Sequence, residues 1–362
     1  MTTTTATLRM LLLICISLGQ IRLVTMQSTN VPETGVYLIT MVADPDGRTD
    51  MFLQLNGRDA GFVAYGQGDA VAGLVVAVHL KAGTRVSARY TGNTQGATSL
   101  GVGFVSYGIR FITMRCTGQS SGNVVKFDRR FQSKPWKWTP YFLTAEHIKI
   151  LTSGIYWVAA RPDCGNGTVI LDIGPGLFDA FCDGDKAVSA SGAFYLKAGR
   201  KLIVTFKSGS YLQGGTSFSY VMLDGNQQKY IKHTNHIAFT AWTDNVGGHL
   251  VTEWLSFNKA KATDYGSLYN YAQRIWTIPT TGSYIVSMRG DPGAGRNTLK
   301  VIFYKNNKTY LFAWYNKNRT KSGQAGVFQF TKGDKLFMVN DFGSYVGKET
   351  FMSIALLWVA SE

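Results

Sequence analysis

The sequence predicts an all-β chain made of tandem sandwiches of antiparallel strands. Glycine supplies 40 of 362 residues and aromatic residues make up 13%, which is typical of short strands joined by tight turns. Apolar and polar residues alternate over short segments, and no long segment has the 3.6-residue period of an amphipathic helix. One strand-and-turn pattern also occurs three times. The length suits two or three domains with sizeable cores.

The N-terminus predicts export. Arg9 precedes the apolar stretch MLLLICISLG, residues 10–19, which has the length of a signal-peptide core and is too short to span a bilayer. The small residues Ser17 and Gly19 suit a cleavage site. Residues 1–19 are therefore predicted to be a signal peptide, with an uncleaved first strand as the alternative. We expect a secreted, extracellular protein.

The cysteines fit an oxidising compartment. Cys15 lies within the predicted signal peptide, whereas Cys164 and Cys182 share one β-rich segment and are predicted to form a disulfide. Closing that loop stabilises the fold by roughly 3 kcal/mol in the chain-entropy treatment. Cys116 is left over, and it is either a tether between two chains or a buried free thiol.

Three Asn-x-Thr sequons agree with a secretory route. They begin at Asn166, Asn307 and Asn318, and each falls in a predicted turn or loop. A glycan attached there can project into water. Each of the three asparagines is a predicted glycosylation site.

A repeated pattern divides the chain into three parts. A Gly-x-Tyr followed by alternating apolar residues and a Pro/Gly/Asp bend begins at Gly35, Gly154 and Gly282. Each copy continues to a Lys-Gly type turn, around Gly83, Gly199 and Gly333, that is flanked by apolar strands and read as a β-hairpin. Because these landmarks keep their order and spacing, we expect three homologous all-β units. Their predicted bounds are residues 20–115, 124–224 and 235–362.

The bend in the first copy, VADPDGRTD, resembles a calcium loop because Asp44, Asp46 and Asp50 lie close together. The corresponding bends at residues 162–167 and 291–295 keep proline and glycine but not these carboxylates. Proline and glycine supply the backbone angles of a tight turn. No glutamate follows at the spacing of an EF-hand, so a structural corner is favoured and a weak surface calcium site is the alternative.

The third copy resembles the globular head of complement component one-q and its relatives, which share the tumour-necrosis-factor jelly roll. The aromatic pattern of that family is matched by Asp264, Tyr269, Trp276 and then Gly282-Ser-Tyr284. The second copy keeps Tyr141, Ile148 and Gly154-Ile-Tyr156. The first keeps Gly35-Val-Tyr37, and its first strands look shortened or lost. No collagen-like Gly-x-y stretch is present.

This resemblance implies tandem jelly-roll-like sandwiches in which Tyr37, Tyr156, Tyr269, Trp276 and Tyr284 lie in the cores. In the third copy, Tyr284, Val286 and Met288 would face one side of a sheet, and Ser283, Ile285 and Ser287 the other. Heads of this family usually associate as trimers through apolar faces. Three heads on one chain are therefore expected to form a trimer-like cluster within one polypeptide, with self-association through sandwich faces as a further expectation.

Catalytic motifs are missing from the sequence. No Gly-x-Ser-x-Gly elbow, phosphate-binding glycine loop or Cys-His pattern occurs, and acidic residues are scattered. His233 and His236 have a spacing that a metal can use, but a solvated loop pair is favoured. His79 lies in an apolar strand and is expected to be packed in a core or interface. We expect no cofactor, no resident metal and no enzymatic activity.

Charge is the more informative property. Lys and Arg number 37 against 22 Asp and Glu, so the formal net charge is +15. A basic surface attracts polyanions, and such binding weakens as salt rises. One concentration of positive charge contains Lys305, Lys308, Lys317, Arg319 and Lys321 among aromatic residues, and another spans residues 126–138. The alternative is that these cations only solvate loops and strand edges.

Two functions follow from these features. The first is a soluble protein that recognises anionic glycans or microbial surface polymers through repeated heads, as in innate immunity, with avidity from the repetition. The second is a structural component of an extracellular matrix, with acidic matrix proteins as partners. A mineralised matrix is included in this alternative. Secretion argues against nucleic acid as a target. The fold alone does not choose between the two functions.

Overall fold

The computed structural model describes most of the chain from Ser28 to Val359. The described residues are 28–43, 45–67, 72–94, 98–106, 111–115, 124–125, 129–132, 141–143, 147–164, 168–173, 177–183, 186–209, 212, 216–223, 237–243, 247–248, 253–257, 259–265, 268–291, 299–305, 308–315, 322–342, 345–347 and 350–359. They form β-strands joined by turns, and all the strand pairs among them are antiparallel. None of these residues belongs to a helix that could cross a membrane. The predicted all-β class is confirmed.

Unit 1, residues 28–106, is a sandwich of two sheets. Its strands are β1 (Ser28–Asn30), β2 (Gly35–Ala43), β3 (Pro45–Leu55), β4 (Arg58–Gln67), β5 (Ala72–Leu80), β6 (Arg85–Thr94) and β7 (Ser99–Ser106). The outer sheet has the order β1-β6-β3-β4, and the inner sheet has the order β5-β2-β7. Apolar side chains of β2 and β5 pack between the sheets against β3, β4 and β6.

Unit 2, residues 111–223, has a larger inner sheet. Its strands are β8 (Phe111–Arg115), β9 (Arg129–Gln132), β10 (Tyr141–Leu143), β11 (Ile148–Ile150), β12 (Gly154–Arg161), β13 (Thr168–Asp172), β14 (Asp179–Asp183), β15 (Lys186–Val188), β16 (Ala190–Leu196), β17 (Lys201–Leu202), β18 (Thr205–Ser208) and β19 (Ser217–Met222). The inner order is β16-β12-β19-β8-β9, and the outer strands form the sheets β10-β11-β17 and β15-β14-β13-β18.

Unit 3, residues 237–359, also has five inner strands. Its strands are β20 (Ala238–Trp242), β21 (Gly247–Gly248), β22 (Glu253–Trp254), β23 (Lys259–Tyr265), β24 (Tyr269–Asn270), β25 (Ile275–Thr277), β26 (Gly282–Gly290), β27 (Leu299–Lys305), β28 (Lys308–Tyr315), β29 (Ser322–Phe330), β30 (Lys335–Phe342), β31 (Tyr345–Val346) and β32 (Phe351–Val359). The inner order is β23-β20-β32-β26-β29. The outer order is β24-β25-β30-β27-β28, with β22 also paired to β30, and β21 pairs with β31.

One strand lies on the other side of the predicted boundary between the first two units. The sequence division ended the first unit at residue 115 and so assigned β8 to it. In the structure β8 pairs with β19, with Thr113 opposite Ser219, and so it is the first described strand of unit 2.

The Lys-Gly turns are not hairpins, and this part of the sequence interpretation was wrong. The strands on either side of Gly83 belong to different sheets, since β5 is inner and β6 is outer. The same separation holds for β16 and β17 around Gly199 and for β29 and β30 around Gly333. Each turn is therefore a corner that carries the chain across the sandwich. Apolar strands flank both corners and hairpins, so the sequence pattern does not distinguish a corner from a hairpin.

The same hydrogen bonds hold this corner in each unit. In unit 3 the Gly333 N–H donates to the Ile278 carbonyl (2.7 Å), and the Ile278 N–H donates to the backbone carbonyl of Asp334 (2.9 Å). The Tyr284 hydroxyl donates to the Thr280 carbonyl (2.8 Å). The equivalent bonds are Gly83–Val31, Val31–Thr84 and Tyr37–Glu33 in unit 1, and Gly199–Ile150, Ile150–Arg200 and Tyr156–Thr152 in unit 2. The three glycines have φ values of +81°, +87° and +89°, which favour glycine.

The inner sheets of the three units share one buried core. In β26, Tyr284, Val286 and Met288 point into the unit 3 sandwich. Ile285, on the opposite face, points into a cluster to which every unit contributes. That shared core includes Val36, Leu38, Val75 and Ala77 of unit 1, Ile155, Trp157, Ala159 and Ala193 of unit 2, and Ala238, Ala325, Ala355 and Leu357 of unit 3. Both faces of the central inner strands β2, β12 and β26 are therefore buried, apart from half-buried Ser283.

Threonine hydroxyls join the units at two of the seams between them. The Thr113 hydroxyl of unit 2 accepts a hydrogen bond from the Ala77 N–H of unit 1 (3.2 Å) and donates to the Ala77 carbonyl (2.7 Å). Thr240 of unit 3 makes the same two bonds to Ala193 of unit 2, at 3.2 and 2.7 Å. These bonds satisfy backbone groups of the edge strands β5 and β16.

The third seam, between units 3 and 1, is packed by small residues and rings. A Cβ placed on Gly101 of β7 would lie 2.9 Å from the Val327 nitrogen, so only glycine allows this approach. The rings of Phe104 and Trp358 meet edge to face with centroids 5.0 Å apart.

The seam between units 2 and 3 has a further hydrogen bond. Buried Arg289 of unit 3 donates to the Asp179 carbonyl of unit 2.

Candidate interaction surfaces

The acidic corner of unit 1 does not assemble a metal site among the described residues. Asp44 lies outside them, and Asp46 is described only by its backbone in β3. Asp50 lies 3.8 Å from the Arg48 guanidinium, and Arg48 is largely exposed. No group of three potential metal-ligating side chains occurs within the described residues. His233 and His236 lie outside those residues.

His79 is exposed, so it does not pack in a core of the described chain, whereas packing in an interface with another chain stays a prediction. It lies near the end of β5, and the shared core on its face of the strand ends at Ala77. Tyr195 and Gln329, which precede their corner glycines by the same interval, are exposed as well. The shared core therefore stops before this row of residues.

The predicted disulfide is present. Cys164 and Cys182 are bonded with their Cα atoms 6.0 Å apart, a usual separation for a disulfide. Both are fully buried in the unit 2 core and pin the corner after β12 to β14. Cys116 and the three sequon asparagines, Asn166, Asn307 and Asn318, lie outside the described residues.

The residues of the family pattern lie in the sandwich cores. Tyr37, Tyr156 and Tyr284 are buried, and so is Gly282. Tyr269 and Trp276 face each other across β24 and β25 with ring centroids 4.4 Å apart. Both belong to the unit 3 core, and the Tyr269 hydroxyl accepts from the Phe257 N–H (3.3 Å).

Part of the basic segment lies at the tip of a hairpin in unit 3. Lys305 ends β27 and Lys308 begins β28, and their Cα atoms are partners in the ladder. Lys305 is also in register with Leu336 of β30. The structure thus places the backbone of this hairpin tip beside the central strand of the outer sheet. Lys317, Arg319 and Lys321 lie outside the described residues.

An aromatic pair occupies the outer face of the same sheet. The rings of Trp254 and Phe337 are stacked, with centroids 4.4 Å apart and planes 17° from parallel. Leu336 and Met338, on either side of Phe337, point into the core, so Phe337 points outward. Trp254 is 38% exposed, which makes it one of few large apolar side chains at the described surface.

Cationic side chains border this pair. Arg274 has φ of +57° and donates from Nη1 to the Trp254 carbonyl (2.6 Å), which places its guanidinium beside the β22 backbone. Lys335 is exposed two residues before Phe337 in β30. We name Trp254, Phe337, Arg274 and Lys335 the aromatic platform.

The other units have a different surface at the corresponding position. Phe337 follows its corner glycine by the same interval as Ser87 in unit 1 and Ile203 in unit 2, and neither is aromatic. Unit 1 instead pairs Arg89 with Asp59 at 2.9 Å, and the Arg89 hydrogen bond lowers the pKa of that carboxyl. The Arg89 guanidinium also lies 4.3 Å from the Phe52 ring centre. The charge of Arg89 is thus matched locally by an acid.

Sequence reasoning missed the aromatic platform. Trp254 and Phe337 are far apart in the chain, and only the pairing of β22 with β30 brings them together. The available signal was the outward position of Phe337 in a strand whose neighbouring residues are Leu336 and Met338. Phe337 is half-buried, and its stacking on Trp254 makes the pair an apolar patch and not a single surface residue.

Comparisons with known proteins give weak structural neighbours. No protein-family model matches the chain, and no curated protein matches it. Among solved structures, the globular domain of zebrafish complement 1qA protein is 14% identical, covers 34% of this chain and 99% of its own length, and has a TM-score of 0.30. Pika GITRL is 15% identical with the same coverages and a TM-score of 0.25. A triple jelly-roll protein of an archaeal virus turret covers 91% of this chain and 80% of its own, at 10% identity and a TM-score of 0.16.

Proposed function

We propose that this chain is a secreted, non-enzymatic recognition protein that binds anionic glycans through the outer face of unit 3. In this proposal the three units are copies of one head like that of complement component one-q, fused into a single polypeptide. The buried disulfide is consistent with an oxidising compartment. Glycosylation of Asn166, Asn307 and Asn318 belongs to the same proposal.

The observation that carries the proposal is the aromatic platform itself, in which the cations Arg274 and Lys335 border two stacked rings. An exposed indole offers a flat apolar face on which a sugar ring can stack, and Trp is enriched among residues that dominate binding energy. The adjacent cations supply the attraction for carboxylate or sulfate groups. Aromatic stacking selects the sugar face, whereas the cations select acidic substituents. An anionic glycan satisfies both.

A salt series with three variants tests the proposal. Binding to heparin-type and sialylated glycans is measured by surface plasmon resonance at several salt concentrations. We expect Trp254→Ala to weaken binding about fivefold or more at every salt concentration, because truncating a central Trp usually costs more than 1 kcal/mol. Lys335→Ala should reduce the salt dependence, since one charge beside the rings is removed.

Leu151→Ala is the matched control, because Leu151 is a large apolar side chain that is 49% exposed on unit 2. It should leave binding unchanged. Two results together would contradict recognition of a particular glycan: equal affinity for all anionic polymers and an unchanged affinity in Trp254→Ala. Binding would then be non-specific attraction by the net charge.

The second candidate is a structural component of an extracellular matrix. The observation that favours it is β7, an uncharged strand at an open edge of the described inner sheet of unit 1. Such an edge is suited to joining chains. Recovery of the native protein only from insoluble matrix would favour this candidate, whereas recovery from body fluid would favour recognition.

A further inference from the structure

The inner sheet of unit 1 ends at β7 within the described residues, unlike the inner sheets of the other units. There the corresponding strands are β19 and β32, and each pairs on its far side with a first strand, β8 or β20. β19 is buried throughout, whereas Ser99, Leu100, Gly101, Val102 and Phe104 of β7 are only half-buried. Among the strands that the structure describes, β7 therefore has no neighbour on the side where β19 and β32 have one.

The stretch of this edge from Ser99 to Gly103 lacks the features that usually protect one, since the register irregularity of β7 lies beyond it, between Phe104 and Ser106. The sequence of β7 is SLGVGFVS, without charge or proline. Natural edge strands commonly carry lysine, proline or a bulge on the open side, which prevents pairing with another chain. An uncharged edge of eight residues is suited to accept an added strand.

The first strands of units 2 and 3 show what such an added strand must contain. Thr113 lies opposite Ser219 and bonds to the backbone of Ala77, and Thr240 lies opposite Ser353 and bonds to the backbone of Ala193. Each first strand therefore carries a threonine that bonds the edge strand of the preceding unit. Apolar residues flank that threonine, as in Ile112-Thr113-Met114.

In the other two seams the threonine lies next to two residues, one in the strand it pairs with and one in the preceding unit. The third seam, between units 3 and 1, has a counterpart of each. Gly101 pairs with Thr40, as Ser219 pairs with Ala159 and Ser353 with Ser287. Val327 precedes its corner glycine by the same interval as Ala77 and Ala193 precede theirs. A strand added to β7 would thus place one residue opposite Gly101 and next to Val327. The other two seams have a threonine at this position.

The chain contains a segment of matching sequence. Residues 21–27 read IRLVTMQ, and residues 109–115, which include β8, read IRFITMR. Four of the seven positions are identical, and Leu for Phe and Val for Ile keep the apolar character. The alignment places Thr25 at the position of Thr113 and Met26 at that of Met114, which is buried in the unit 2 core.

Chain connectivity prevents this segment from filling the edge of its own molecule while β1 keeps its place. In the β8 register, residue 27 would lie opposite Ser99, which pairs with Val42. Val31 is bonded to the corner at Gly83 and Thr84, beyond the Gly35 end of β2. The stretch from Gly35 to Val42 spans about 23 Å, whereas the four residue steps from 27 to 31 reach at most about 14 Å.

We propose that residues 23–27 of one copy of this chain add as a strand to the β7 edge of a second copy, with Thr25 opposite Gly101 and beside Val327. Removal of residues 1–19 leaves this arm at the N-terminus of the chain. Leu23 then takes the place of Phe111 in the shared core, and Met26 takes that of Met114 in the sandwich core of the acceptor. The occupant is thus a second copy. This assembly is independent of glycan binding by unit 3.

Light scattering after size exclusion tests the assembly with variants of the arm, which leave the described fold untouched. The chain from Gln20 onward should have a mass of two chains or more at tens of micromolar. Met26→Glu should be a monomer, because its carboxylate would be buried without a partner. Gln20→Glu adds the same charge outside the matched strand and should behave as the unaltered chain.

Crosslinking tests the pairing itself. In the β8 register Met114 lies opposite Phe218, and the alignment therefore places Met26 opposite Leu100. In a Cys116→Ser background, a Met26→Cys chain mixed with a Leu100→Cys chain under mild oxidation should yield a disulfide-linked pair containing one of each. Gln20→Cys with Leu100→Cys should yield at least tenfold less of that pair.

Three results would overturn the proposal. The first is a monomer at all concentrations without the mixed crosslink. The second is an oligomer that Met26→Glu leaves intact, which would mean that another surface associates. The third is a Met26→Cys/Leu100→Cys double variant that crosslinks only within single chains at high dilution, because the arm would then fill its own edge. Loss of glycan binding in Trp254→Ala bears only on the proposed function.

Discussion

At the scale of single residues, the buried tyrosines of the Gly-x-Tyr pattern make the same hydrogen bond in each unit. The hydroxyls of Tyr37, Tyr156 and Tyr284 each donate to a carbonyl four residues earlier, at 2.8, 2.7 and 2.8 Å. The sequence predicted their burial from the Gly-x-Tyr pattern. It did not predict their acceptors, because a backbone carbonyl at a corner leaves no mark on residue identity.

These tyrosines predict a loss of stability at alkaline pH. Burial raises the pKa of Tyr37 and Tyr284, and it raises that of Tyr220 well above 10. Both states are protonated below about pH 10, so the stabilisation is complete there. Above about pH 10 the unfolded chain loses its phenolic protons first. The free energy of unfolding should therefore fall from that pH upward.

Denaturant titrations between pH 7 and pH 11.5 measure this effect. Tyr284→Phe should lower the free energy of unfolding by about 1 kcal/mol at pH 7, because the hydrogen bond to Thr280 is lost. It should also reduce the alkaline decline, since one titrating group is gone. Tyr195→Phe alters a tyrosine that is 39% exposed, and as the control it should lower the free energy of unfolding at pH 7 by clearly less. An identical alkaline decline in Tyr284→Phe and the unaltered chain would contradict this account.

At the scale of strands, the sequence predicted the elements better than their partners. Alternation and glycine spacing gave the strands after Gly35, Gly154 and Gly282, and Asn56-Gly57 turns β3 into β4 as expected of that pair. The turns at Gly83, Gly199 and Gly333 were assigned to hairpins but connect different sheets. A ladder is a long-range property, and local residue types specify the bend without specifying which strands pair.

The threonines at the seams were not predicted for the same reason. Thr113 and Thr240 lie in short apolar strands where a threonine looks like an ordinary β-former. Only the packing of one unit against the next shows that their hydroxyls form hydrogen bonds with backbone groups at the edges of β5 and β16. Their function is set by the neighbouring unit.

Substitution of Thr240 tests the contribution of a seam. Thr240→Val keeps the shape but removes the hydroxyl, which leaves the Ala193 carbonyl without this buried donor, whereas the Ala193 N–H keeps its bond to Ser353 Oγ (2.9 Å). We expect a loss of about 1–3 kcal/mol in the free energy of unfolding. Thr240→Ser keeps the hydroxyl and should cost clearly less. Equal losses in the two variants, measured by urea denaturation, would mean that the methyl group and not the hydrogen bonds matters.

At the scale of the whole molecule, the shared core makes the three units interdependent. Ile155, Trp157 and Ala159 of unit 2 pack with Val36 and Leu38 of unit 1 and with Ile285 and Leu357 of unit 3. The sequence predicted a cluster of three units only by analogy with family trimers. It gave no signal for the second buried face, because small residues such as Ser287 in β26 resemble those of a solvated face.

The shared core predicts that the units unfold together. Each inner sheet buries one face against the other two units, so separation of a unit would expose apolar surface on all three. Scanning calorimetry should show one transition with similar calorimetric and van't Hoff enthalpies. Trp157 is fully buried in this core, and Trp157→Ala should lower the free energy of unfolding by about 3–5 kcal/mol. Because the core is common, the whole transition should move to lower temperature. A variant in which one part of the transition moves while the rest stays at its original temperature would show that the units fold separately and that the shared core contributes little.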